Sequence, residues 1–148
     1  MRKIAVLNQK GGVGKTTTVV NVAAAMAGHG FRVLVIDLDP QAHLTIHLGV
    51  DAEQPGCGAY QILSGQAGVR DAAVKVRSNL WLLGAGIELV GAETELVNEV
   101  GREIILRQAI AQVENDFDYL IIDCPPSLGL LTLNALAASE EVIIPVQP

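Results

Sequence analysis

Aromatic side chains make up only 3% of the 148 residues, so any core must be built from aliphatic groups. Half the chain is hydrophobic, mainly Ala, Val, Ile and Leu, which suits a parallel sheet buried on both faces under small-residue helices. Charge is scarce too, at 18%, and with so much apolar content this excludes a disordered tail. Two cysteines, Cys57 and Cys124, are too few for a disulfide scaffold or a zinc site. His29, His43 and His47 show no metal-ligand spacing. No apolar run approaches the ~18 residues of a membrane span, and the opening residues lack a signal-peptide pattern. A reducing cytosol is the expected setting. The length fits one domain.

The net charge of −6 is unevenly spread. Residues 1–50 hold five Lys/Arg against two Asp, or +3, whereas residues 51–148 hold five against fourteen Asp/Glu, or −9. No basic patch is large enough to hold DNA unaided. The local excess of lysine near the N-terminus fits a compact anionic ligand instead.

Strand and helix patterns alternate, which predicts an α/β doubly wound, mostly parallel sheet with helices on both faces. Expected strands run over Lys3–Leu7, Arg32–Asp37, Leu80–Leu83, Tyr119–Asp123 and Glu141–Val146. Expected helices run over Thr16–Ala27, stopped by Gly28-His29-Gly30, and over Ser127–Ala138. A long helical pattern spans about Glu93–Glu114, with Leu96, Val100, Ile104, Ile105, Ala109 and Val113 on one face and a possible break at Gly101. Residues 51–78 are the least legible; short helices are expected near Ala59–Leu63 and Val69–Val76. The chain stops at Pro148 just after a strand, so it is expected to be the N-terminal portion of a longer protein.

Lys10-Gly11-Gly12-Val13-Gly14-Lys15-Thr16-Thr17 follows a strand and opens a helix, the context that a phosphate-binding loop requires. Glycines let backbone N–H groups approach phosphates, and the helix N-terminus adds partial positive charge. Lys15 can reach β- and γ-phosphates, and the Thr16 hydroxyl can ligate Mg²⁺. Position 9 is Gln where the ordinary loop begins with Gly, and Thr17 stands where a dinucleotide fingerprint would have its third glycine. A second lysine, Lys10, lies five residues before Lys15.

Two apolar strands end in carboxylates. Asp123 closes Tyr119–Asp123, on the ligand-bearing edge of such a sheet, and is the candidate to hold Mg²⁺ through a coordinated water. Asp37-Leu38-Asp39-Pro40-Gln41 closes the second strand. Asp39 is the candidate to orient the attacking water, and Asp37 to support the magnesium shell. The plainer alternatives are a helix cap for Asp123 and turn-forming roles for Asp37 and Asp39.

Together these residues resemble the deviant Walker A ATPases of the ParA type. Gln9–Thr17 is similar to that family's phosphate loop, Asp37–Gln41 to its second motif, Asp123-Cys124-Pro125-Pro126-Ser127-Leu128-Gly129 to its Walker B segment, and Ile143–Pro148 to its next strand. The resemblance implies a P-loop ATPase that uses ATP and Mg²⁺ and dimerises around two ATP molecules. It places Lys10, Gly11, Gly12, Val13, Gly14, Lys15, Thr16 and Thr17 on the nucleotide. Lys10 would reach the partner subunit's ATP, Lys15 its own, Thr16 and Asp123 would serve Mg²⁺, and Asp39 would position water. It further implies non-specific DNA binding through a C-terminal part, stimulation by a ParB-type centromere-binding protein, and a cytoplasmic, nucleoid-associated protein of chromosome or plasmid partition that does not use a membrane. A membrane-associated positioning ATPase of the MinD type is the alternative. A nitrogenase-iron-protein-like reading is disfavoured by the positions of Cys57 and Cys124, and an inert nucleotide-binding module is the non-enzymatic one. The sequence departs from the family in having Ala42-His43 where Gly-Asn usually follows Asp-Pro-Gln.

Overall fold

Short aliphatic runs, Val33–Ile36 and Leu120–Ile122, supply the centre of the molecule. The computed structural model describes residues 1–7, 14–52 and 58–146. In chain order these form β1 (Arg2–Val6), α1 (Lys15–Gly28), β2 (Val33–Asp37), α2 (His43–His47), α3 (Ala59–Leu63), α4 (Val69–Ala72), β3 (Val74–Arg77), β4 (Leu80–Leu83) and α5 (Leu89–Glu95). A 3₁₀ turn (Arg102–Ile104), α6 (Ile105–Ala111), β5 (Tyr119–Asp123), α7 (Leu130–Ala138) and β6 (Glu141–Ile143) follow.

The six strands lie in the order β3-β4-β2-β5-β1-β6. Every pairing is parallel except β3 with β4. Side chains alternate between faces along a strand, and both faces here are covered. Leu34, Ile36, Leu120 and Ile122 point to one side, where α3, α6 and α7 contribute Ile62, Leu106, Ile110 and Leu131. Val33, Val35 and Ile121 point to the other, where α1 contributes Val19, Ala23 and Ala27, and α2 contributes Leu44. Full burial of each large aliphatic side chain stabilises the fold by ~1.5–3 kcal/mol.

The expected doubly wound, mostly parallel architecture is the one observed. Several elements differ in extent. Over the expected helix Val69–Val76, the helix ends at Ala72 and Val74–Arg77 is an antiparallel strand. There Val74 and Val76 alternate with exposed Lys75 and Arg77, a period of two, and the Lys75 ammonium lies over the Trp81 ring. The long Glu93–Glu114 helix is two short ones, separated by turns and by Gly101 at φ 74. Val100, expected on its buried face, is fully exposed, while Leu106, Ile110 and Val113 carry the core contact. The helix expected from Ser127 begins three residues later, at Leu130, after the Pro125-Pro126 pair and Gly129. The last strand stops at Ile143, not Val146, and α2 was not anticipated.

Gly58 packs α3 against the exit of β4. A Cβ there would lie 2.3 Å from the Gly84 carbonyl oxygen, to which the Ala59 N–H already donates at 2.9 Å. Gly58→Ala should therefore cost ~1–3 kcal/mol of stability, read by urea denaturation. An unchanged midpoint would show that this junction is not close-packed.

Candidate functional site

Parallel pairing in register brings strand ends to one edge. Val6, Asp37 and Asp123 are register partners across β1, β5 and β2. Backbone bonds extend the alignment past the strands: Leu38 N–H donates to the Asp123 carbonyl at 3.0 Å, and Cys124 N–H to the Val6 carbonyl at 3.1 Å.

The helix α1 opens toward the same edge. Gly14, before its first residue, has φ 79 and ψ 19, a left-handed conformation that glycine adopts without steric cost. Its carbonyl accepts from the Thr18 hydroxyl at 2.7 Å and the Thr18 N–H at 2.9 Å, which fixes the first turn. Lys15 and Thr16 then converge on one carboxylate. The Lys15 ammonium donates to Asp123 Oδ1, and the Thr16 hydroxyl donates to Oδ2 at 2.8 Å. Thr17 is exposed. Asp123 is fully buried, and burial pushes its pKa up, opposed by the Lys15 ammonium and the Thr16 hydroxyl and reinforced by the charge of Asp39. Asp123 does not cap α7, which has Gly129 at its N-cap and no side-chain cap bond.

The neighbouring exit holds a second buried carboxylate. Asp37 Oδ2 accepts from the Thr45 N–H at 3.0 Å and the Thr45 hydroxyl at 2.8 Å, and Oδ1 accepts from the Asp39 N–H at 3.0 Å. Three protein donors thus take both oxygens of Asp37. Its pKa is raised to about 6, chiefly by burial, against the three donated bonds and with repulsion from Asp123 adding to it. Asp39 is partly exposed beside it, and its Oδ1 accepts from the Gln41 N–H at 3.0 Å, an Asx turn. The next residue, Ala42, sits at φ 58, a left-handed conformation costly for a residue with a Cβ.

Among the expected site residues, the structure brings Lys15, Thr16, Asp37, Asp39 and Asp123 to one edge. Gln9, Lys10, Gly11, Gly12 and Val13 lie outside the described residues, as does Cys57. Cys124 is buried, its thiol pushed up to about 12 by burial. Among the described residues no group of three His, Cys, Asp or Glu could hold a metal. Thr45 escaped the sequence reading. Its only signal is a hydroxyl between Leu44 and Ile46, and nothing in the sequence alone shows that it faces Asp37.

Residues 1–148 match the AAA domain family. Over 146 residues the chain is 51% identical to the sporulation initiation inhibitor protein Soj of Bacillus subtilis, covering 97% of this chain and 57% of that protein. The chain belongs to the ParA/Soj-type partition ATPase family. It is also 45% identical over 147 residues to the chromosome partitioning protein ParA of Myxococcus xanthus, covering 99% of the chain and 52% of that relative. Among solved structures, a cobyrinic acid a,c-diamide synthase from Mycobacterium smegmatis, with bound ATP analog and magnesium, superposes at a TM-score of 0.95 and 48% identity. That match covers 99% of this chain and 60% of the other. A putative plasmid partition protein from Borrelia burgdorferi bound to AMPPNP superposes at 0.85 and 29% identity, covering 97% of this chain and 62% of the other. The ParA/Soj-type chain thus spans a little over half the length of the relatives it matches. The partition names of two of these relatives, with no membrane-positioning protein among the four, leave that alternative without support. Among the described residues no helix is long and apolar enough to cross a membrane.

The Asp37 carboxyl holds its proton more tightly folded than unfolded, since its pKa rises from 3.8 to about 6. The stability it lends is complete below its ordinary pKa and is lost as pH rises through about 6. Asp37→Asn should lack this loss. Between pH 4 and pH 7 the stability difference should move in the variant's favour by up to about 3 kcal/mol, read by urea denaturation at both pH values. A difference independent of pH would show that Asp37 titrates normally.

Proposed function

We propose that this chain is the ATP-binding and hydrolysing part of a Mg²⁺-dependent partition ATPase. The observation that carries the reading is the convergence of Lys15 and Thr16, from the first turn of α1, on Asp123 at the exit of β5. A lysine, a hydroxyl and a carboxylate at a helix N-terminus suit a nucleotide's terminal phosphates and their metal ion.

In this reading Lys15 leaves Asp123 for the β- and γ-phosphates, exchanging one anion for another. Thr16 and Asp123 fit Mg²⁺ in chemistry, because both present hard oxygen donors and the ion favours few protein ligands with retained water. When bound, the ion supplies charge neutralisation on the phosphate oxygens. Asp39 orients a water for attack on the γ-phosphorus; the bond to the bridging oxygen breaks, leaving ADP and phosphate. The Gly11–Gly14 amides and Thr17 belong to the phosphate cradle, and Lys10 to the ATP of a second subunit. ATP-dependent dimerisation is the means by which hydrolysis reaches DNA and a ParB-type partner, with the DNA contact outside these acidic residues. The ATP analog and magnesium in the M. smegmatis structure and the name of the chromosome partitioning protein ParA of M. xanthus support the reading. Its setting is the cytoplasm, at the nucleoid.

Two variants of the whole protein test it. Lys15→Ala should abolish ATP binding by calorimetry and also lower ligand-free stability by ~3 kcal/mol, because Asp123 loses its buried partner. Unchanged ATP affinity would remove the phosphate-loop assignment. Asp39→Ala should keep ATP binding and slow steady-state hydrolysis by about 100-fold or more. An unaffected rate would take Asp39 out of the mechanism.

A further inference from the structure

Asp39 sits on a turn, and turns need support if a carboxylate on them is to hold one position. Its support is a short chain of hydrogen bonds that starts at Thr45. The Thr45 side chain is 1% exposed, in a helix of only five residues. Its hydroxyl does two things. It donates to Asp37 Oδ2 at 2.8 Å, and it accepts from the Ala85 N–H at 2.9 Å. These partners are eight and forty residues away in sequence, at the exits of β2 and β4. Asp37 passes the constraint on, since its other oxygen takes the Asp39 N–H at 3.0 Å.

We propose that Thr45 is a positioning residue for ATP hydrolysis, locking the Asp37 carboxylate so that Asp37 in turn holds the Asp39 turn beside Asp123. The proposal rests on the hydrolytic reading above. A carboxylate fixed through only one oxygen can swing about its side-chain torsions; one fixed through both, with two bonds from a single residue on Oδ2, cannot. Valine has nearly the shape of threonine, so packing alone does not call for a hydroxyl here. What valine cannot do is donate to Asp37 or accept from Ala85. Thr45 therefore ties three segments together: the β2 exit that carries Asp39, the helix α2, and the β4 exit.

The test compares Thr45→Val with Thr45→Ser in the whole protein. Thr45→Val should lower kcat for ATP hydrolysis by about 10-fold to 100-fold while KM stays within about twofold, because misplacing a reacting group slows the chemical step without weakening substrate binding. Thr45→Ser, which keeps the hydroxyl, should recover kcat to within about threefold of the parent. Exchange of the Ala85 amide proton should quicken about 10-fold in Thr45→Val and stay near the parental rate in Thr45→Ser, since only the first loses the acceptor. If Thr45→Val does not fold, Asp37→Asn takes its place and should show the same kcat-specific loss. A kcat within about twofold of the parent in Thr45→Val, or in Asp37→Asn where that variant stands in, overturns the positioning role, as does a loss in Thr45→Ser as deep as in Thr45→Val. A parent protein that turns over no ATP overturns the hydrolytic reading itself, and this proposal with it.

Discussion

A buried carboxylate at the end of β5, one of the two central strands, organises the site. Asp123 is out of water, and an isolated ion there would be expensive. It is tolerable because the first turn of α1 delivers an ammonium and a hydroxyl to its two oxygens. That pairing locks the start of α1 to the exit of β5, and β5 lies between β1 and β2. The position of the helix N-terminus relative to the sheet edge is thus set by electrostatics as well as by the packing of Val19, Ala23 and Ala27. The same arrangement keeps the Lys15 ammonium paired and largely out of solvent.

The two buried carboxylates divide the work. Asp37 and Asp123 are register partners on adjacent strands; the charge of Asp123 makes Asp37 harder to ionise, and that of Asp39 does the same to Asp123. Asp123 meets an ammonium and a hydroxyl, side-chain donors on α1. Asp37 meets two backbone N–H groups and a threonine, which stay with the protein. One is tied to the first turn of α1, the other to α2 and to the backbone of Asp39. The residue types alone could not separate them, because both are Asp at the end of an aliphatic strand.

The legible parts of the fold are those with strong local patterns. Arg32–Asp37 and Tyr119–Asp123 read as strands because Val33–Ile36 and Leu120–Ile122 are unbroken apolar runs. The mostly parallel sheet followed from their alternation with helices. Legibility failed where tertiary contacts override pattern. Val100 has the spacing of a core residue yet faces solvent, since the turns after Glu95 break the helical phase before it arrives. Val74–Val76 lies in the helix expected over Val69–Val76 but forms part of a strand, because β4 pairs with it across a tight turn with Asn79 at φ 62. The site was legible as a set of residue types at strand ends; the Thr45 link was not, since its partners are joined only by the fold.

The two margins of the sheet are unlike. At β3 the edge is short, antiparallel and irregular between Lys75 and Arg77, and both of those cations face outward. Such an edge discourages a further strand by charge and by twist. At the opposite margin β6 is parallel to its neighbour and exposes Val142 and Ile143. Among the described residues, the charge and irregularity that discourage a seventh strand are thus found at one margin and not at the other.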